Sequence, residues 1–222
     1  MRQVLRTAAL VGAVLVLPAS SASAAEGALA NNGFEIAFRT GVSFPVGQAA
    51  SNSKLSDSFG VQFPLWVDLG YRFGNVVVGA YGAWSPGLLG SEVDCGEASC
   101  SVSAWRAGLE AQLHLIGRDR AVDPWISLGF GYQWDILHAS FSSPFGQASG
   151  SVAIHGWDLA RVGFGVDFRL TPWLRLGPFV HATVSQFVED SVTLEGRTDS
   201  QPIEDKAIHS WITIGVKVTF LP

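Results

Sequence analysis

From Gly33 to the C-terminus the chain alternates apolar and polar residues with a period of two, the signature of half-buried strands rather than helices. Eight segments carry the pattern: Gly33 to Pro45, Val61 to Phe73, Val76 to Trp84, Ser103 to Leu115, Pro124 to Ile136, Gly156 to Leu170, Leu174 to Phe187, and Ile208 to Phe220. Each exceeds the usual globular strand of about 5 to 6 residues, and most reach the roughly 9 to 11 that cross a bilayer at a tilt. The connections are Val46 to Gly60, Gly74-Asn75, Ser85 to Val102, Ile116 to Asp123, Leu137 to His155, Thr171 to Trp173, and Val188 to Ala207. Long and short take turns. A membrane barrel with long loops at one end and tight turns at the other produces that order, whereas a soluble lipocalin-like barrel, which would put the oily face inside, has no reason to keep it.

Period two alone does not say which face is inside, so the chemistry of the faces decides. In the fifth segment Ile126, Leu128, Phe130, Tyr132 and Trp134 share one face, and Ser127, Gly129, Gly131, Gln133 and Asp135 the other. The fourth opposes Trp105, Ala107, Leu109, Ala111 and Leu113 to Arg106, Gly108, Glu110, Gln112 and His114, and the eighth opposes Ile212, Ile214, Val216, Val218 and Phe220 to Trp211, Thr213, Gly215, Lys217 and Thr219. Bulky faces meet lipid and small or polar faces meet the lumen. The third segment is ambiguous in phase. The expected fold is therefore all-β, an eight-stranded antiparallel up-and-down transmembrane β-barrel spanning 33–222. Trp84, Trp105, Trp134 and Trp157 flank long connections, while Trp125, Trp173 and Phe220 lie near turns or the C-terminus; together they are expected to form two interfacial girdles.

Ahead of the barrel, residues 1–24 have Arg2 and Arg6, an apolar run from Ala8 to Leu17, Pro18, and Ala22-Ser23-Ala24. That is the layout of a secretory signal peptide, with 25–32 left as a short periplasmic lead. An exported chain meets an oxidising compartment, so Cys95 and Cys100, the only cysteines, read as one local disulfide; two thiols without a nearby His make a poor zinc set, and no metal is expected.

Composition narrows the functions. With 48% hydrophobic and 15% charged residues and a net charge of -5, the chain is neither disordered nor built to hold nucleic acid, because its basic residues never cluster. In phase, the lumen holds Arg39, Arg72, Arg106, Arg161, Arg169, Arg175 and Lys217 against Glu35, Asp68, Glu110, Asp135 and Asp167. An eight-stranded barrel is just wide enough for side chains to fill it, and charges inside must pair, so these groups are expected to plug the tube as a salt-bridge network, with His114 and His181 hydrogen-bonded among them. A narrow channel for small solutes is the alternative. The long connections carry Lys54, Arg197 and Lys206 against ten carboxylates, from Asp57 and Glu92 to Glu204 and Asp205. Such an acidic crown suits solvation, with divalent cations the sharper option. No cofactor fingerprint occurs.

The signal peptide, the eight amphipathic strands, the strand-turn-strand FGVDFRLTPWLRLGPFV and the terminal ITIGVKVTFLP together resemble the small outer-membrane β-barrel proteins of Gram-negative bacteria, the group with OmpA-like, OmpX-like and OmpW-like barrels. The resemblance covers nearly all of 33–222 and implies a bacterial outer-membrane location, long loops outside, termini in the periplasm, contact with outer-membrane lipid and lipopolysaccharide, folding by the barrel-assembly machinery, and a monomer; it names an architecture rather than an activity, and the residues themselves lead to the expectation of a non-enzyme. Leu221 and Pro222 depart from it, since such barrels usually end on the aromatic. His138-Ala139-Ser140 resembles the His-x-Ser of lipid A deacylase barrels, but Phe141 stands where that family has Asn, and no acidic residue lies between Asp135 and Asp158. A serine nucleophile needs a base and an orienting third group, so a lipid A-modifying enzyme is the lesser alternative.

Overall fold

The computed structural model describes residues 32–50, 53–96, 98–143, 146–194 and 197–222. The expected signal peptide, and all of the lead but Asn32, lie outside these residues. Eleven strands form one sheet: β1 (Gly33–Ala50), β2 (Ser53–Lys54), β3 (Phe59–Gln62), β4 (Leu65–Phe73), β5 (Val76–Leu89), β6 (Ser99–His114), β7 (Val122–Ser143), β8 (Gly146–Thr171), β9 (Leu174–Leu194), β10 (Arg197–Pro202) and β11 (Ile208–Phe220). Eight of them close a ring in which β1 pairs β4, β4 pairs β5, and so on through β6, β7, β8, β9 and β11 back to β1, every pairing antiparallel. This is the eight-stranded up-and-down barrel the alternation predicts.

Its hydrophobicity is inside out. Leu109, Leu128, Phe130, Val162, Phe164 and Ile214 are exposed on the outer wall, while Arg39, Arg72, Arg161, Arg175 and Lys217 are among the most buried side chains. The ambiguous β5 directs Val77, Tyr81, Ala83 and Ser85 inward and Val76, Val78 and Trp84 outward. Small residues make room inside: a Cβ on Gly163 would run into the His181 ring. The Gly74-Asn75 turn uses positive φ (62°) at Gly74, whose amide donates to Asn32 Oδ1 at 2.9 Å. At the end of β11 the ladder outruns Phe220, because the Leu221 amide donates to the Trp173 carbonyl at 2.8 Å.

The two ends differ, and here the structure corrects the reading of the connections. The end with tight turns is compact. At the loop end the stretch Leu137 to His155 is mostly strand: β7 runs to Ser143 and β8 starts at Gly146, in register along that hairpin. Likewise Val188 to Ala207 contains the top of β9 paired to β10. These polar, serine-rich extensions break the amphipathic pattern because neither face meets lipid, so alternation could not reveal them. The result is a crest in which β6 follows β7 as far as Ser99 opposite Ser140, and β7, β8, β9 and β10 pair beyond the amphipathic segments. Val46 to Gly60 folds back instead, through β2, a one-turn helix at Leu55–Ser58 capped by Asp57 Oδ2 on the Lys54 amide (2.9 Å), and β3.

Candidate functional site

The lumen is filled in layers. Toward the turn end, Asp123 gathers the tube's lower charges: His114 Nδ1 lies 2.9 Å away, Arg72 Nη2 3.3 Å and Arg175 Nη1 3.5 Å, and the amide of Gly117 donates to its other oxygen at 3.1 Å. Glu35 sits 3.5 Å from Arg72 on the same level. Above them Arg39 bridges Asp68 (2.7 Å) and Glu110 (2.6 Å), and Arg161 approaches Glu110 at 3.5 Å. His181 stands between the two guanidiniums, each 2.9 Å from one ring nitrogen. Lys217 pairs with Asp167 at 2.9 Å and lies 4.2 Å from the Trp125 ring centre, and Arg161 covers Trp66 and Tyr81 at 4.6 and 4.2 Å. A third layer joins Arg106, Gln62, Gln133, Asp135 and His209.

Charge then gives way to hydrocarbon. Leu55 from the one-turn helix and Phe59 from β3 pack with Val102, Phe187 and Trp211 into an apolar plug across the mouth. Phe187 stacks on His209 with ring centres 4.1 Å apart, and Arg106 lies 4.8 Å over Trp211, joining plug to charge. The plug is strapped by the β5–β6 connection, whose Gly90, Ser91 and Glu92 amides donate to the Ser58, Ser56 and Asp57 carbonyls at 3.2, 3.1 and 3.1 Å. The Cys95–Cys100 disulfide, with Cα atoms 6.3 Å apart, ties that same connection to the first residues of β6. Below the plug, a cavity beside Glu35, Asp68, Glu110 and Lys217 has about 20 Å³, room for one water.

Two sequence expectations are corrected, those for Arg169 and Trp125. Arg169 is outside the lumen: it is exposed, its Nη1 donating to the Asp119 carbonyl at 2.9 Å, because β8 has reached the barrel's end and gains a turn to cap rather than a charge to pair. Trp125 is no girdle residue; it is 0% exposed in the lumen, donating Nε1–H to Asp167 Oδ1 at 3.0 Å. Its nearness to a turn suggested an interface, but it shares the inward parity of Ser127. Trp157 is in phase with the lumen face of lower β8, yet is 51% exposed, because a bulge between Asp158 and Ala160 inverts the parity above it. The same bulge turns Asp158 inward, where it accepts from Ser185 Oγ at 2.6 Å. Asp158 and Asp123 are lumen carboxylates the sequence reading missed, and Asp123 was legible only as the last residue of a turn.

Trp84, Trp105, Trp134 and Trp173 are exposed on the outer wall, with Trp173 stacked on Phe220 at 6.2 Å. Phe34 and Phe73, flanking Tyr71 at ring distances of 5.1 and 4.7 Å, enlarge the turn-end girdle. His138 and Ser140 do not form a dyad: both are exposed on the outer face of the crest, and Ser140 Oγ donates to the Ser99 carbonyl at 3.4 Å. Among the described residues no three His, Cys, Asp or Glu side chains converge as a metal-ligand set.

A closed ring with an apolar exterior, a charged interior and two aromatic girdles defines a transmembrane β-barrel. No family model matches the chain, and no curated protein matches it either. Solved structures do match its fold. The Neisserial surface protein A aligns over 85% of this chain and 97% of its own, at 13% identity and a TM-score of 0.44. A major outer membrane protein of Thermus thermophilus aligns over 84% and 98%, at 12% identity and 0.45. Ail of Yersinia pestis, solved with the heparin analogue sucrose octasulfate, aligns over 85% and 99%, at 18% identity and 0.42.

Proposed function

We propose that the protein is an integral outer-membrane barrel of a Gram-negative envelope, exported by residues 1–24, without chemistry or conduction of its own, and serving envelope integrity and surface contact through its crest. The loop end then faces outward, the termini lie in the periplasm, lipid and lipopolysaccharide surround a monomer, and the terminal strand through Phe220 is what the barrel-assembly machinery receives. One observation carries this reading: among the described residues the lumen is packed by ion pairs below and by the Leu55, Phe59, Phe187 and Trp211 plug above, and the cavity near Glu35 and Lys217 measures about 20 Å³. Ser140 bonded to a backbone carbonyl rather than to an imidazole supports a non-enzymatic role.

Two measurements test it. Folded in detergent, the protein should migrate differently on a gel before and after boiling, and unchanged migration would remove the barrel. In planar bilayers it should give no steady unit currents; their presence would return the reading to a narrow channel.

A further inference from the structure

One place on the outer wall gathers several polar groups. Trp84, Trp105, Trp134, His155 and Glu189 are partners across five consecutive strands, β5 to β9, and all face outward. The first three are the loop-end girdle, but the last two replace tryptophan by imidazole and carboxylate. Tyr132 and Trp157, themselves cross-strand partners, lie one step toward the apolar belt. Tyr132 Oη is 2.6 Å from His155 Nδ1, and His155 Nε2 is 3.9 Å from Glu189 Oε1. The Tyr132 ring meets Trp157 edge-on at 5.0 Å and Trp134 at 4.7 Å.

Two backbone irregularities build this arrangement. The bulge between Asp158 and Ala160 turns Trp157 out of the lumen, and a register shift between His155 and Gly156, opposite Phe187 and Glu189, turns Glu189 out of it. Without them Trp157 and Glu189 would point inward. Bulges re-aim side chains at barrel rims and beside functional sites, and these two bring Trp157 and Glu189 to a common place. A polar cluster on a lipid-facing wall also needs a reason to be there.

We propose that this notch, framed by Trp157 and Trp134 with Glu189, His155 and Tyr132 as its polar groups, binds the sugar ring of a glycolipid headgroup in the surrounding leaflet. The inference rests on the proposed membrane reading. Aromatic faces accept the C–H face of a sugar, and a half-exposed carboxylate with an imidazole and a phenol accepts its hydroxyls. The seven residues of the notch and its row include no Arg or Lys, the donors that a phosphate would require. The ligand is lipid-borne because Trp157 and Tyr132 join the notch to the belt of Phe130, Leu128 and Leu159 below, placing the ring at headgroup depth and its acyl chains on the wall.

The test is native mass spectrometry of the protein released from phosphatidylcholine nanodiscs doped with monogalactosyl diacylglycerol or with phosphatidylglycerol. The wild type should retain the galactolipid at least about fivefold over phosphatidylglycerol, and Trp157→Ala and Glu189→Gln should each bring the ratio to about one. Trp157→Phe should keep most of the preference. Both positions are on the outer surface, and the gel shift on boiling verifies that each variant folds. Equal retention of the two lipids by the wild type, preference for the phospholipid, full occupancy by free methyl galactoside, or variants with undiminished preference would each overturn the proposal. A chain that never enters the nanodisc would instead overturn the membrane reading beneath it.

Discussion

Arg39, held by Asp68, Glu110 and His181, and Phe187, held by Phe59 and His209, fill the same tube by opposite chemistry. Below, each charge is tolerated only because its partners are present, so the layer is exacting but gains little net stability: desolvation consumes most of what the ion pairs return. Above, the plug depends on no particular partner, and its burial is favourable outright. The lower region specifies the barrel's register and filling, whereas the upper one closes it. Removal of one residue should therefore do different things in the two places.

The largest effect is expected from Arg39→Ala, which leaves Asp68 without its ion-pair partner and Glu110 with Arg161 alone, and should cost about 4 kcal/mol in urea unfolding from detergent or vesicles. A cost as small as an exposed ion pair's would mean that water already reaches that level of the lumen. Phe187→Ala should cost less, about 3 kcal/mol, since nearby loop atoms can close part of the cavity. Its distinguishing sign is that it loosens the mouth without touching a charge, so entry of a small thiol reagent to a cysteine placed at Ser185 should speed up, while Arg39→Ala should leave that rate unchanged.

Smaller still is the double change Cys95→Ser with Cys100→Ser. Closing so short a loop is worth at most about 2 kcal/mol, and the loop touches the barrel through its strap on the Leu55–Ser58 turn. Faster proteolysis between Glu92 and Ser101, with barrel unfolding nearly unchanged, is the expected result. Last comes Arg169→Ala, which should shift unfolding by less than about 0.5 kcal/mol, although its cross-strand partner Arg175 is buried against Asp123. A large loss at Arg169 would place it back in the lumen network.

Much of the fold was legible because lipid and lumen impose opposite demands on alternate residues: β6, lower β7 and β11 state their orientation outright. The rest was hidden for identifiable reasons. A bulge adds one residue without a mark in the sequence, so Asp158 turned inward unseen, and the girdle place expected of Trp157 ran against its phase. Trp125 shows that an aromatic near a turn is as ready to seat a lysine as to meet a headgroup, and parity was the better guide. Above the bilayer both sides of a strand are wet, so the crest and the returning β1–β4 segment carried no periodic signal, and the plug residues Leu55 and Phe59 read as ordinary loop.

The crest has a consequence of shape. From Trp134 to Ser143, β7 continues nine residues past the girdle, roughly 30 Å along the strand, whereas between β1 and β4 the chain folds back through β2, the one-turn helix and β3. The molecule is a gable rather than a post, and anything descending along its axis meets a raised wall on one flank and the folded-back β1–β4 segment on the other. What it touches is then decided by its azimuth, so neighbours that restrict its spinning in the plane would also choose which way its surface looks.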